Sequence, residues 1–193
     1  MTRISLVELA HKAIASHLQH GGIAIDATAG NGHDTLFLTQ QVGDLGHVYS
    51  FDIQVTAINN TAIKLQQAGM SDRVELIQTG HQHWLDFVPK HHLGNISAIM
   101  FNLGYLPGGD KAITTLMETT LQALKQAPLL LNPEHGCMTV LAYPGHEQGS
   151  VELDAIENWC QQLDSKYFSI EKIMRENTRL LVPQLFIIKA LNN

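Results

Sequence analysis

Residues 26–32 read Asp-Ala-Thr-Ala-Gly-Asn-Gly, an acid followed by two glycines spaced two apart. Gly30 and Gly32 let the backbone pass close to a ligand and take left-handed conformations without steric penalty. The helical pattern starting at His33 would aim free N–H groups and a positive dipole end at the same space, which suits a pyrophosphate or the carboxylate of a methionine moiety. Asp52 stands 20 positions beyond Gly32, at the end of the apolar run Val48-Tyr49-Ser50-Phe51. A carboxylate there can accept hydrogen bonds from both hydroxyls of a ribose, or can cap a helix starting at Gln54. The dinucleotide fingerprint Gly-x-Gly-x-x-Gly is incomplete, since Thr35 stands at its third glycine. The pattern predicts a nucleoside-containing cofactor held by Asp26, Thr28, Gly30, Asn31, Gly32, His33 and Asp52. Gln54, Gly80 and His81 occupy the next positions that would face an adenosine.

Such a site needs strands that end beside one another. The hydrophobic period alternates between about 2 and about 3.6, the mark of a parallel sheet with crossover helices. A helix is expected from Leu6 to Leu18, ended by Gly21-Gly22, followed by a buried strand at Ile23-Ala24-Ile25 and a helix from His33 to Val42. Further strands are expected at Val48–Phe51, Arg73–Ile77, Ile96–Phe101 and Cys137–Ala142. Val55, Ile58, Ala62 and Leu65 mark one intervening helix closed by Gly69, and Trp84 to Val88 a short one after a polar loop at Thr79–His83. Ile113, Leu116, Met117, Leu121 and Leu124 stripe another helix, stopped by Pro128, and Leu153, Ile156, Cys160 and Leu163 a last one. Two strands, near Phe168–Met174 and Gln184–Ala190, follow with no helix between them, so one must run antiparallel. The fold class is α/β: a Rossmann-like mixed sheet of seven strands with helices on both faces, similar to class I methyltransferases that use S-adenosylmethionine.

Composition bounds the reading. The chain has 193 residues, 45% of them hydrophobic and 16% charged, enough for one domain spanning 1–193 with its own core. No run approaches the roughly 20 apolar residues of a membrane span, and Glu8 and His11 interrupt the place of a secretory signal, so a cytoplasmic protein with no membrane partner is expected. Cys137 and Cys160 are too few for a disulfide framework and sit in apolar stripes, as small hydrophobes do. His81, His83, His91 and His92 lie near one another but lack the cysteines or acids of a zinc site, so no metal is expected. The net charge of −6 argues against steering to a long duplex. Between Lys166 and the end, however, basic residues outnumber acids, a local face suited to a small anionic partner.

Four blocks, Asp26-Ala-Thr-Ala-Gly-Asn-Gly-His-Asp-Thr-Leu-Phe-Leu, Phe51-Asp-Ile-Gln54, Phe101-Asn-Leu-Gly-Tyr-Leu-Pro-Gly-Gly-Asp-Lys111 and Tyr143-Pro-Gly-His146, resemble the small bacterial methyltransferases labelled "putative rRNA methylase". The resemblance runs from about Leu6 to Lys189. It implies S-adenosyl-L-methionine as cofactor and, as substrate, the aminomethyl group of 5-aminomethyl-(2-thio)uridine at the tRNA wobble position, with the anticodon loop as partner. Asn102 stands where amine-methylating enzymes place an acceptor in a block similar to Asn-Pro-Pro-Tyr; here the block reads Asn-Leu-Gly-Tyr and departs at both prolines. By that resemblance Asn102, Tyr105 and Asp110 are the catalytic candidates, and Asn102 also borders the cofactor. Tyr105, Gly108, Gly109, His146, Arg175, Asn177 and Arg179 are the substrate-binding candidates. Asp110, His146 and His81 are open as proton acceptors, with desolvation plus Asn102 favoured over a strong base. A ribosomal RNA or small-molecule amine methyltransferase, a non-catalytic nucleotide-binding protein and an NAD-dependent oxidoreductase stay open as rivals, and so does pairing into a homodimer.

Overall fold

The computed structural model describes residues 4–145, 147–174 and 182–192. Five helices and seven strands are seen among them: α1 (Leu6–Ala15), β1 (Ile23–Asp26), α2 (His33–Val42), β2 (His47–Phe51), α3 (Val55–Ala68), β3 (Val74–Ile77), β4 (Ile96–Asn102), α4 (Met117–Leu130), β5 (Cys137–Ala142), α5 (Glu147–Gln162), β6 (Phe168–Met174) and β7 (Gln184–Ala190). The strands form one sheet in the order β3-β2-β1-β4-β5-β7-β6. β1 to β5 pair in parallel, whereas β7 runs antiparallel to both β5 and β6. The closing pair is thus a hairpin with β7 inserted beside β5, which makes the sheet mixed as expected.

Period-two alternation divides the core between the two faces. On one, Phe51, Ile99, Phe101, Met138 and Val140 pack with Trp84 and with Leu124 and Ala127 of α4 and Ile156 and Trp159 of α5. On the other, Ala24, Val48, Ala98, Met100 and Leu141 pack under Leu6, Ala10 and Ile14 of α1 and Leu38 and Val42 of α2. Cys137 and Cys160 are buried and free, and burial pushes both thiols up to about 12, which leaves them unreactive.

Local signals account for most element ends. A reciprocal capping box between Ser5 and Glu8 starts α1, which closes at Ala15, before Gly21-Gly22. Gly69, in the left-handed region, closes α3. Three expectations shift. Pro128 lies inside α4 instead of ending it, because Ala127 and Leu130 on either side of it are buried in the core and hold that turn against the loss of one backbone bond. The helix also starts only at Met117, leaving Ile113 and Leu116 in the preceding loop. The polar stretch after β3 is itself a 3₁₀ turn, His81–Asp86, anchored by the wholly buried Trp84.

β1 lies between β2 and β4, so the chain turns to opposite sides of the sheet after β1 and after β4. Their carboxyl ends, Asp26 and Asn102, therefore open a crevice where successive crossover segments diverge, the usual ligand position in open α/β sheets.

A cavity at the switch point of the sheet

A cavity of about 870 Å³ fills that crevice. Four segments line it: the turn after β1, the end of β2 with Asp52 to Gln54, the turn Thr79 to Gln82, and the long loop from Asn102 to Leu116. Tyr143 to Gly145, after β5, complete the wall.

The first two segments are tied together through Asp52. Its Oδ2 accepts from the Gly30 N–H at 3.0 Å and its Oδ1 from the Gln54 N–H at 2.9 Å. Gly30 sits at φ +54 and Gly32 at +72, a conformation that favours glycine at both positions. At Gly32 a Cβ would also stand 2.9 Å from Thr61 Cα, so this glycine serves the approach of α3 and does not line the cavity. The helix expected at Gln54 starts at Val55 without a side-chain cap, which leaves the Asp52 carboxylate facing the cavity. Burial raises the Asp52 pKa, opposed by the backbone N–H groups of Gln54, Gly30 and Ile53.

Asp26 proves to be a clamp beneath the site rather than part of its lining. It is fully buried, and it accepts from the Thr28 N–H at 3.0 Å and from the Thr35 hydroxyl at 2.6 Å. Burial, reinforced by the charge of Asp34, raises its pKa to about 7. Thr28 carries the clamp across the crevice, because its Oγ1 accepts from the Asn102 N–H at 2.8 Å. Asn31 does the same further out: its Nδ2 donates to Pro107 O at 3.2 Å while its Oδ1 accepts from Asn60. The tips of β1 and β4 are thus held as one unit. His33 lines the mouth, with Lys64 Nζ 3.1 Å from its Nδ1.

His81 is buried and presents Nδ1 to Ala27 O at 3.1 Å. A carbonyl only accepts, so Nδ1 bears the proton and Nε2 a bare lone pair. That Nε2 is buried with no partner among the described residues, and burial lowers the His81 pKa to about 4. A lone acceptor in a cavity wall calls for a donor such as a nucleobase amino group. Together with the ribose-height carboxylate of Asp52 and the glycine turn at the start of α2, it fits an adenosine-bearing cofactor. Among the described residues no group of three or more His, Cys, Asp or Glu side chains could hold a metal ion.

At the end of β4, the Asn102 Nδ2 donates to Asp34 Oδ2 at 3.2 Å, because a carboxylate can only accept. Its Oδ1 is therefore the acceptor left for another donor. Tyr105 is 42% exposed at the rim, with Lys111 Nζ 5.5 Å from its ring centre. The backbone between them is pinned by Thr115, whose Oγ1 accepts from the Gly104 N–H at 2.9 Å and whose N–H donates to Gly104 O at 3.0 Å. The Thr115 hydroxyl in turn donates to the buried Glu152 of α5. Gly108, Gly109 and Asp110 lie outside the cavity lining. The Asp110 carboxylate accepts from the Ala112 N–H in an exposed turn, so it neither caps α4 nor reaches the site. His146, Arg175, Asn177 and Arg179 lie outside the described residues.

Sequence reasoning missed Asp34, which is buried, lines the cavity and bonds Asn102. An acid in the first turn of a helix reads as an ordinary dipole partner, and nothing local marks it as facing a cavity. Thr115, Glu152 and Tyr143 were missed as well, since only tertiary contacts link them to β4.

The comparisons agree with the fold and with a cofactor of this kind. Residues 48–189 match the family described as "Putative rRNA methylase". The chain is 37% identical over 198 residues to the chloroplastic tRNA (mnm(5)s(2)U34)-methyltransferase of Arabidopsis thaliana, covering 98% of this chain and 71% of that protein. Among solved structures it is similar to a "putative rRNA-methylase" from Clostridium thermocellum, at 38% identity and a TM-score of 0.91, covering 99% of this chain and 100% of that one. It is also similar to a "putative methyltransferase" from Streptococcus mutans in complex with SAH, at 34% identity and a TM-score of 0.86, covering 98% of this chain and 100% of that one. A family match over most of the chain, with relatives of the same fold at more than a third identity, settles the grouping: the chain belongs to the "Putative rRNA methylase" family of class I S-adenosylmethionine-dependent methyltransferases.

Proposed function

We propose that this protein transfers the methyl group of S-adenosylmethionine to an amine on RNA, the aminomethyl group of 5-aminomethyl-(2-thio)uridine at the tRNA wobble position. The observation that carries the reading is the Asn102 side chain, whose Nδ2 is tied to Asp34 while its Oδ1 remains to accept an N–H. The similarity to the chloroplastic tRNA wobble methyltransferase supports the choice of tRNA. Asp52, Gln54, Gly80 and His81 are assigned to the nucleoside of the cofactor, and Thr28, Gly30, Asn31 and His33 to its amino-acid end. Bound there, S-adenosylmethionine supplies an electrophilic methyl carbon.

Methylation of an amine needs the nitrogen lone pair aimed at that carbon, so orientation is the main task of the protein. Asn102 Oδ1 accepts one amine N–H and thereby turns the lone pair. Tyr105, exposed at the rim beside Lys111, offers a face for the extruded base, as unpaired bases are commonly held. His146, Arg175, Asn177 and Arg179 are assigned to the anticodon loop on sequence grounds alone.

Nucleoside mass spectrometry of tRNA and rRNA from cells lacking this gene, each incubated with the protein and S-adenosylmethionine, tests the reading. The expected product is 5-methylaminomethyl-(2-thio)uridine in tRNA; a methylated nucleoside in rRNA alone would overturn the substrate. Within the site, Asn102→Ala should lower turnover by ~100-fold or more, while calorimetry shows little change in affinity for S-adenosylmethionine. Lost affinity with normal turnover would remove Asn102 from the reacting end.

A further inference from the structure

Asp34 stands in the first turn of α2, 6% exposed, in the wall of the cavity. One carboxylate oxygen accepts from Asn102 Nδ2, and the other lies 2.6 Å from His11 Nε2 on α1. The His11 ring stacks on Phe37, with centroids 3.9 Å apart and planes 3° from parallel, so its orientation is fixed. Its side chain is 25% exposed, against 7% for that of Asp34. Asn102, Asp34 and His11 therefore form a hydrogen-bonded path from the cavity to solvent across two helices. α1 has a separate apolar anchor in Leu6, Ala10 and Ile14.

We propose that Asp34 takes the proton of the substrate amine and that His11 receives it and releases it to water. The proposal rests on the amine reading above. An aliphatic ammonium has no lone pair. In this step its N–H bond breaks, the electron pair stays on nitrogen as the nucleophilic lone pair, and an O–H bond forms on Asp34. In front of the carboxylate His11 donates its Nε2–H; once Asp34 is protonated, the solvent-exposed ring takes the proton on Nε2 as its Nδ1–H tautomer and gives the Nδ1 proton to water, which restores the carboxylate and the Nε2–H donor.

The surroundings favour this assignment. The titratable groups facing Asp34 are His11, by contact, and Asp26 under β1 and Tyr143 after β5, both of which feel its charge. β5 and β7, which α1 also packs against, contribute the apolar Cys137, Leu141, Leu185 and Ile187 to the cluster beneath it. Of the other acceptors, Asp52 is engaged by the Gly30 and Gln54 N–H groups, the Nε2 of His81 is assigned to the cofactor by the reading above, and Asp110 is outside the cavity lining.

Asp34→Asn keeps the bonding pattern, with its oxygen accepting from Asn102 and its amide donating to His11, and removes the proton acceptor. The full-length variant is assayed for methylation of tRNA carrying 5-aminomethyluridine across the pH range. Without cofactor, its binding to that RNA is compared with binding to RNA carrying plain uridine. Expected are a kcat loss of ~100-fold or more near neutral pH that shrinks as free amine accumulates at higher pH, and loss of the preference for the aminomethyl RNA. Affinity for S-adenosylmethionine should stay within about threefold. His11→Gln should give a smaller loss, about tenfold, and displace the acidic limb of the profile. A wild-type kcat and pH profile in Asp34→Asn would overturn the proposal. If that variant does not fold, an unchanged profile in His11→Gln overturns it instead. Wild-type protein that leaves the aminomethyl RNA unmethylated but methylates another RNA would remove the amine reading itself, and this proposal with it.

Discussion

Asp26 holds the glycine turn through the Thr28 N–H and the Thr35 hydroxyl, yet burial keeps its proton on to about pH 7. Its folded value lies above the unfolded one, so its contribution to stability is present at low pH and is lost as pH rises through 7. Asp26→Asn can keep both bonds, with its amide donating to Thr35 Oγ1. The variant should melt close to wild type near pH 4, where Asp26 is protonated in the folded state and already taking up its proton in the unfolded one, and above it at pH 8, by calorimetric scans at the two pH values. His81 has the opposite sign: its folded pKa, near 4, lies below the unfolded value, so stability falls as pH drops from about 6.5 toward 4. With the Asp26 contribution removed, that acid slope should stand alone. With Asp52 assigned to the cofactor as proposed, Asp52→Asn should weaken S-adenosylmethionine binding by roughly 10- to 100-fold in titration calorimetry, on the scale of about 1.5–3 kcal/mol for a hydrogen bond to a charged group.

At the scale of elements, the loop from Asn102 to Leu116 is the part least defined by local sequence and most dependent on a neighbour. Thr115 bonds both backbone groups of Gly104, and its hydroxyl leans on Glu152 of α5, which also accepts from Thr120 at 2.6 Å. Thr115→Val keeps the shape and removes the acceptor of the Gly104 N–H. A stability loss of about 1–3 kcal/mol is expected in denaturant unfolding, with a larger drop in kcat than in cofactor affinity, since the loop carries Asn102 and Tyr105. The same comparison explains why Pro128 misleads: the rule that proline ends a helix is local, whereas the burial of Ala127 and Leu130 that overrides it is tertiary.

For the whole molecule, the cavity follows from strand order. The starts of β1 and β4, Ile23 and Ile96, are 73 residues apart in sequence, yet the two strands are hydrogen-bonded neighbours whose ends carry the glycine turn and Asn102. Among the described residues no helix is long and apolar enough to cross a membrane. A net charge of −6 implies that few phosphates are neutralised on binding RNA. The affinity should therefore fall only shallowly with salt, and Arg179→Ala should reduce the slope of log affinity against log salt by about one. Filter binding over a salt series checks it; an unchanged slope would return Arg179 to the solvated surface.

The sheet, its closing hairpin, the two glycines and Asp52 were legible in the chain because each leaves a local mark: a change of hydrophobic period, a residue needing positive φ, an acid at a strand end. Asp34 left none, since an acid in a first helical turn looks the same whether it faces water or a cavity. Only the packing of α1 and α2 over the β1–β4 crevice joined Asp34 to Asn102 and His11, and only the course of the loop after β4 left Asp110 in an exposed turn outside the cavity lining. Local sequence fixes which residues can turn, cap or alternate; which polar groups meet, and which are shut away from water, is a matter of long-range packing that no window of the chain contains.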